Sequence, residues 1–263
     1  MSDSTTLDME AGEKDAPAVR EGDPQPGRLR WVVQPALALL AIAACFAYTN
    51  TRELTSKQSL LQNDAMLSGG FRHLWLTAVA ALLVIAISVP LGVALTRGPL
   101  RRHAGVILAF AGFGQAAPAV GLVVLAALYF GVGIWPFIGA LTLYGILPVV
   151  ANVVAGLNGV DQRLVEAGRG MGMSAFAVLR KVELPIAVPV MLTGVRTALV
   201  LMCGTAAFGG FVGAGGLGAL INTGIKLGEQ PLLLVGAVLI ASLALLLDWI
   251  ARVVEVVATP KGL

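Results

Sequence analysis

"HAGVILAFAGFGQAAPAVGLVVLAALYFGVGIWPFIGALTLYGILPVVANVVAGLNGV", residues 103–160, runs for 58 residues without one Asp, Glu, Lys or Arg. About 20 apolar residues carry a helix across a bilayer core, so this stretch is long enough for two crossings, at 104–130 and 131–157. The rest of the chain has the same character. It is 57% hydrophobic and 13% charged, with a mean hydropathy of +0.85, where a soluble domain carries roughly a quarter charged residues. Further apolar stretches at 31–49, 74–96, 187–208 and 231–251 bring the expected crossings to six. The ten-residue alternation of an outer-membrane barrel is missing, and backbone in lipid is satisfied only by helices or closed barrels. The expected fold is an all-α integral membrane protein with six transmembrane helices.

Charge sets the expected orientation. Thirteen Lys and Arg fall in the N-terminal tail, in 97–103, in 158–186 and from 252 onward, against four in the loops of the other side. The excess of positive charge marks the cytoplasmic side, which puts both termini there. Tryptophan prefers the headgroup level, and Trp31 and Trp249 fall near expected cytoplasmic ends, Trp75 and Trp135 near external ones. Residues 1–30 hold seven acids, four bases and "DPQPG" with no apolar periodicity, and read as a disordered cytoplasmic tail. The tail lacks the layout of a cleavable signal, so the span at 31–49 is expected to be retained.

Directly after the charge-free run, residues 161–185 hold seven charges. Within this loop, 158–186, Asp161 is placed to cap a helix and Gly172 to end it in a left-handed turn. Ser174 then caps a second helix with Phe176, Leu179 and Val182 on one face, and Pro185 is expected to stop it. The result is a cytoplasmic helix hairpin between the fourth and fifth spans. Two readings stand on composition alone: a solvated basic loop resting on acidic headgroups, or a surface that packs on a partner.

"EAGRGMGMSAFAVLRKVELP", residues 166–185, resembles the coupling-loop signature of type I permeases of binding-protein-dependent ABC importers. The match rests on Glu166-Ala167-Gly168, Gly172, Val182 and Leu184-Pro185 at the family's spacing. Gly168 stands where alanine is usual and Val182 where isoleucine is usual. The likeness extends through "YGILPVVANVVAGLNGVDQRLVEAGRGMGMS", "LPIAVPVMLTGVRTALV" and "GAGGLGALINTGI", and covers about 74–254 as a permease core. Those stretches look like the branch importing glycine betaine, carnitine and choline.

The resemblance implies a multi-pass subunit of the bacterial cytoplasmic membrane with no catalytic residue or cofactor of its own. ATP and Mg would sit on a separate ATP-binding subunit, and the hairpin would dock there through Phe176, Leu179 and Val182, with Glu166 and Gly172 shaping the turn. It further implies an extracytoplasmic substrate-binding protein and a second permease copy or related permease. Membrane lipid is the remaining partner, and nucleic acid is not one. Polar amino acids are the alternative cargo, and a channel or scaffold the alternative class.

Other patterns carry less. "GAGGLG", 213–218, matches a dinucleotide fingerprint but lacks the strand and the acid that such a site needs, and reads as a tight turn allowing close backbone approach. Ser174 has no base at its depth among His73 and His103, which sit at expected span ends, so serine chemistry is not expected. Cys45 and Cys203 read as buried free thiols, and no metal-ligand spacing occurs.

Arg196 and Asp248 are charges inside spans. Such residues face a partner or a wet cavity, and unequal depths counted from the span ends leave open a mutual ion pair or separate solvation. Pro118 is expected to break the third span, and irregular backbone at membrane depth is tolerated only in protein or along a cavity, so Gln115 beside it, with Tyr144 and Asn152, is a polar candidate for lining a translocation path, helix packing being the alternative. Tyr129, Phe130, Trp135 and Phe137 fit an aromatic belt or, for a cationic cargo, a set of ring faces.

Overall fold

The computed structural model describes residues 28–51, 56–116 and 118–259, and every regular element in them is helical. The chain begins with α1 (Arg28–Asn50), a 3-10 segment (Ser56–Leu61) and α2 (Asn63–Leu95). A second 3-10 segment (Gly98–His103) leads into α3 (Ala104–Ala116), α4 (Ala119–Phe130) and α5 (Ile134–Asn158). The charged island forms α6 (Gln162–Gly170) and α7 (Ala175–Val178), and a π turn (Leu179–Glu183) runs into α8 (Leu184–Thr205). A 3-10 turn (Ala206–Gly210), α9 (Gly218–Leu227) and α10 (Gln230–Ala258) complete it. The tail expected over 1–30 lies outside the described residues, apart from the last three, which open α1.

Among the described residues five helices are long and apolar enough to cross a membrane: Trp31–Asn50, Asn63–Leu95, Ile134–Asn158, the continuous run Ala175–Gly210, and Gln230–Ala258. The span expected at 104–130, with its break at Pro118, is two shorter helices, α3 ending at Ala116 and α4 beginning at Ala119. Proline has no N–H to donate and its ring disfavours the α conformation in the residue before it, so Pro118 becomes the N-cap of α4. Pro90, Pro148 and Pro189 stay inside continuous helices. Those helices are packed on neighbours along their length, whereas Val123 is the only buried residue of α4.

α2 also starts eleven residues before the apolar stretch that announced it. Its early turns contain Asn63, Asp64 and two glycines, which lower hydropathy without preventing helix. Leu61 and Met66 are buried with Leu217, Leu220 and Leu232 in a small core shared with α9 and α10, and that burial holds the added turns. His73 is therefore not at a span end. It is fully buried in α2, with Nε2 2.9 Å from the Cys203 carbonyl.

α5 is the centre of the bundle, packed on α2, α4 and α8, with Leu141, Val149 and Val153 fully buried. A Cβ on Gly194 of α8 would meet Asn152 and the Pro148 carbonyl of α5 at 2.6 and 2.7 Å. Only hydrogen fits there, which sets how closely the two helices pack. α10 lies between α8 and α1. Trp249 Nε1 donates to the Trp31 carbonyl at 2.9 Å, so these two rings share one level of the bundle.

Candidate functional site

The island folds as two short helices hinged at one glycine. Asp161 caps α6, accepting from the Arg163 N–H at 2.9 Å. At the far end Gly172 has φ +80°. The Met173 N–H donates to the Gly168 carbonyl at 3.2 Å and the Gly172 N–H to the Arg169 carbonyl at 2.9 Å. This crossed pair ends a helix only when the residue after the cap is left-handed, which favours glycine at 172 and disfavours a branched side chain there. Ser174 then caps α7, accepting from the Ala177 N–H at 3.3 Å.

The second arm departs from expectation at Pro185. The helix does not stop there: Ala175–Gly210 is continuous through the π turn, and Pro185 sits in the first turn of α8. In the π turn the Leu184 N–H reaches back to the Leu179 carbonyl, one residue further than in an α-helix. Proline is tolerated in a first turn because its missing N–H needs no partner there, and the wider turn precedes the ring. The outer arm is thus a direct extension of a long helix.

The face proposed for packing also divides. Leu179 and Val182 are half-buried against the bundle core and fix the hairpin to the rest of the chain. Phe176 is 71% exposed, Met171 at the hinge 72% exposed, and Leu164 of α6 is exposed as well. Glu166 and Ala167 are exposed, Gly168 is buried, and Leu184 and Pro185 are half-buried at the start of α8. The exposed large apolar residues of the hairpin are therefore Leu164, Met171 and Phe176, and the first two were not read from the sequence.

Gly168 of the first arm is buried against the second. A Cβ there would stand 3.4 Å from Val178, 3.6 Å from Met173 Sδ and 3.8 Å from Val182, which is ordinary van der Waals contact. Alanine is favoured over glycine within a helix by about 1 kcal/mol. Gly168→Ala should therefore raise the thermal unfolding midpoint of the purified chain and leave function unchanged. A lowered midpoint would mean that the arms pack more tightly than this.

The base of the hairpin carries an ion pair that sequence reading missed. Glu183 is buried, and the Arg97 guanidinium reaches its carboxylate with both terminal nitrogens, Nη1 donating to Oε1 at 3.2 Å. Arg97 lies just past α2, 86 residues away in sequence, so no local pattern links the two.

A second polar cluster sits between α8 and α10. Arg196 Nε donates to Asp248 Oδ1 at 2.5 Å and Nη2 to Oδ2 at 3.1 Å. Gln34 of α1 donates to Asp248 Oδ2 at 2.8 Å, and Arg252 does so at 3.3 Å. Depths counted from span ends were a poor guide, because α10 continues to Ala258 and the helix ends are staggered. Breaking a buried pair by removing one partner costs about 3–5 kcal/mol, and these side chains are 26% and 19% exposed, so about 3 kcal/mol is expected for Asp248→Ala. Adding Arg196→Met should recover part of that loss in thermal unfolding. If the two losses simply add, the pair contributes nothing.

Of the path candidates, Tyr144 and Asn152 are half-buried on α5, while the side chain of Gln115 lies outside the described residues. Asn152 Nδ2 donates to the Pro148 carbonyl of its own helix at 2.7 Å and packs on Gly194, which is the geometry of helix packing. Tyr129, Phe130 and Trp135 are exposed and line a cavity of about 890 Å³ between α4 and α5, whereas Phe137 is buried. In the 213–218 turn Gly213, Gly215 and Gly216 have positive φ, and the Ala214 carbonyl accepts from Arg72 Nε at 3.2 Å. Cys45 and Cys203 are buried free thiols. Among the described residues no group of three His, Cys, Asp or Glu is placed to hold a metal.

Comparison with known proteins agrees with this architecture. The chain is 38% identical over 191 residues to the glycine betaine/carnitine/choline transport system permease protein OpuCB of Bacillus subtilis, covering 73% of this chain and 87% of that protein. It is 41% identical over 201 residues to the osmoprotectant import permease protein OsmW of Salmonella typhimurium, covering 73% and 91%. Among solved structures, the inward-facing MetNI methionine ABC transporter aligns with TM-score 0.64 and 26% identity over 74% of this chain and 96% of that one. Residues 88–256 match the family described as binding-protein-dependent transport system inner membrane component. With more than half of the chain inside that match, and relatives this similar along nearly their whole length, the protein belongs to the family of inner-membrane permease components of binding-protein-dependent ABC importers.

Proposed function

We propose that this chain is the membrane subunit of an ATP-driven importer of small quaternary amines such as glycine betaine, choline or carnitine. In this reading both termini are cytoplasmic, α3 and α4 together make a sixth crossing, and the hairpin from Asp161 to Glu183 docks on a separate ATP-binding subunit that holds ATP and Mg. The observation that carries it is the exposed trio Leu164, Met171 and Phe176 on a hairpin whose remaining apolar residues anchor it to the bundle. Apolar side chains held outward on a fixed mount call for a protein partner, and Met171 and Phe176 belong to the 171–176 hinge at the tip. A second permease copy and an extracytoplasmic binding protein complete the assembly, which sits in the bacterial cytoplasmic membrane.

Cargo class is supported by the printed functions of the relatives and by the charge-free run 103–160, which offers no counter-ion to an anion. Gln115 and Tyr144 remain the residues proposed to line the path. Likeness to a methionine transporter gives amino acids as the second reading. Uptake of labelled glycine betaine, choline and carnitine should be restored when the chain is expressed with its ATP-binding and binding-protein partners in a strain lacking transport. Uptake of an amino acid with none of the three would reverse the assignment of cargo.

A further inference from the structure

Beneath the hairpin, where α2 and α5 end, lies a cavity of about 410 Å³ whose lining includes Thr96, Arg97, Arg101, Asn158, Arg169 and Glu183. Three guanidinium groups face one carboxylate, and that carboxylate is already engaged by Arg97. The side chains of Arg101 and Arg169 make no hydrogen bond or ion pair among the described residues. Arg97 Nε is buried without a partner, and burial, followed by the nearby Arg169 charge, pulls the Arg97 guanidinium below its ordinary value. The C-terminal ends of α2 and α5 each bring a partial negative charge of about half a unit. Together they offset one of the two unengaged arginines, leaving the pocket about one positive charge in excess, at the level where spanning helices meet headgroups.

We propose that this pocket binds a phosphate group, with Arg101 and Arg169 as its principal ligands and Arg97 contributing from the Glu183 side. Guanidinium groups favour phosphate through paired, charge-assisted hydrogen bonds, and basic pockets at the ends of spanning helices are suited to lipid headgroups. The phosphate comes either from an anionic phospholipid or from free phosphate in solution. In both cases it would bridge α6 to the segment after α2, and so tie the hairpin to the bundle from below. This inference concerns residues other than the outward trio and does not depend on the proposed cargo or ATP-binding partner.

The test uses the full chain, purified in detergent and delipidated. Phosphatidylglycerol or phosphatidylcholine is added for native mass spectrometry, and inorganic phosphate, against chloride at equal ionic strength, for thermal unfolding. Retention of phosphatidylglycerol over phosphatidylcholine by at least tenfold, lost in R101Q/R169Q and kept in the charge-matched R102Q/R180Q, would support the site with lipid as its source. A rise in unfolding midpoint with inorganic phosphate and no lipid preference, lost in the same variant, would support it with free phosphate as the source. If R101Q/R169Q does not fold, the single R101Q, on an exposed edge, is read in its place with a loss of at least threefold expected. Equal responses of wild type and the folded arginine variants to both probes would overturn the proposal, as would equal loss in R102Q/R180Q.

Discussion

Gly172→Val should abolish most transport while leaving the protein inserted and folded. At φ +80° a branched residue is strained, although nothing lies within 4 Å of where its Cβ would stand. The penalty is thus one of backbone conformation and not of collision, about 1–3 kcal/mol. Relaxing it breaks the crossed hydrogen bonds to the Gly168 and Arg169 carbonyls and swings the outer arm, carrying Phe176 off its place. Since 1.4 kcal/mol is tenfold in an equilibrium, docking to the ATP-binding subunit should weaken by about ten- to a hundredfold, and stimulated ATP hydrolysis should fall with it. Insertion depends on span hydrophobicity and flanking charge, which the substitution leaves alone. Gly172→Asn is the matched control, because asparagine tolerates the left-handed region and should retain much of the activity. Wild-type transport by Gly172→Val, measured as initial uptake at equal membrane abundance, would remove the hinge from the mechanism.

Gly218→Ala should have the largest effect on stability of any single methyl addition considered. Gly218 opens α9, and a Cβ there would overlap the Ala207 carbonyl in the turn Ala206–Gly210, while a Cβ on Gly210 would in turn overlap the Gly218 backbone. Both obstacles are main chain and cannot rotate away. Overpacking costs about 1–3 kcal/mol, occasionally more, and the absence of a movable side chain puts this case at about 3 kcal/mol or above. Separating the two segments would also loosen the buried Leu217 and Ala214 and the Asn222 to Gly210 hydrogen bond, now 2.7 Å. The folded fraction on gel filtration should drop and the unfolding midpoint should fall. Gly70→Ala, where nothing lies within 4 Å, should do neither. An unchanged midpoint for Gly218→Ala would show that the turn yields.

What could be read from the chain follows the range of the forces involved. The spans at α1, α5, α8 and α10 were legible because hydrophobicity accumulates over twenty residues, and the caps at Asp161, Gly172 and Ser174 because capping is decided within four. The break at Pro118 was legible as a proline inside the third span, but the lengths of the two helices it separates were not, since they depend on packing around them. The extra turns of α2 were hidden for the same reason: Met66 is held by Leu217 and Leu232, far along the chain. Within the site, periodicity put Phe176, Leu179 and Val182 on one stripe, yet only tertiary packing separates the exposed phenylalanine from the two that anchor. The Arg97–Glu183 pair joins residues 86 apart, which no local rule reaches, whereas Arg196 and Asp248 drew notice because charge inside a span is costly wherever it occurs.

The central claim is that the tip of the hairpin touches an ATP-binding subunit, and site-specific photocrosslinking at Phe176 tests it most directly. A photoreactive phenylalanine derivative at 176, in the chain expressed with its full complement of partners, should yield one adduct with the mass of the ATP-binding subunit. The same derivative at Leu234, exposed on α10 within a span, should not. Lipid adducts alone at position 176, in a protein that still transports, would contradict the account and return the island to a loop resting on the membrane.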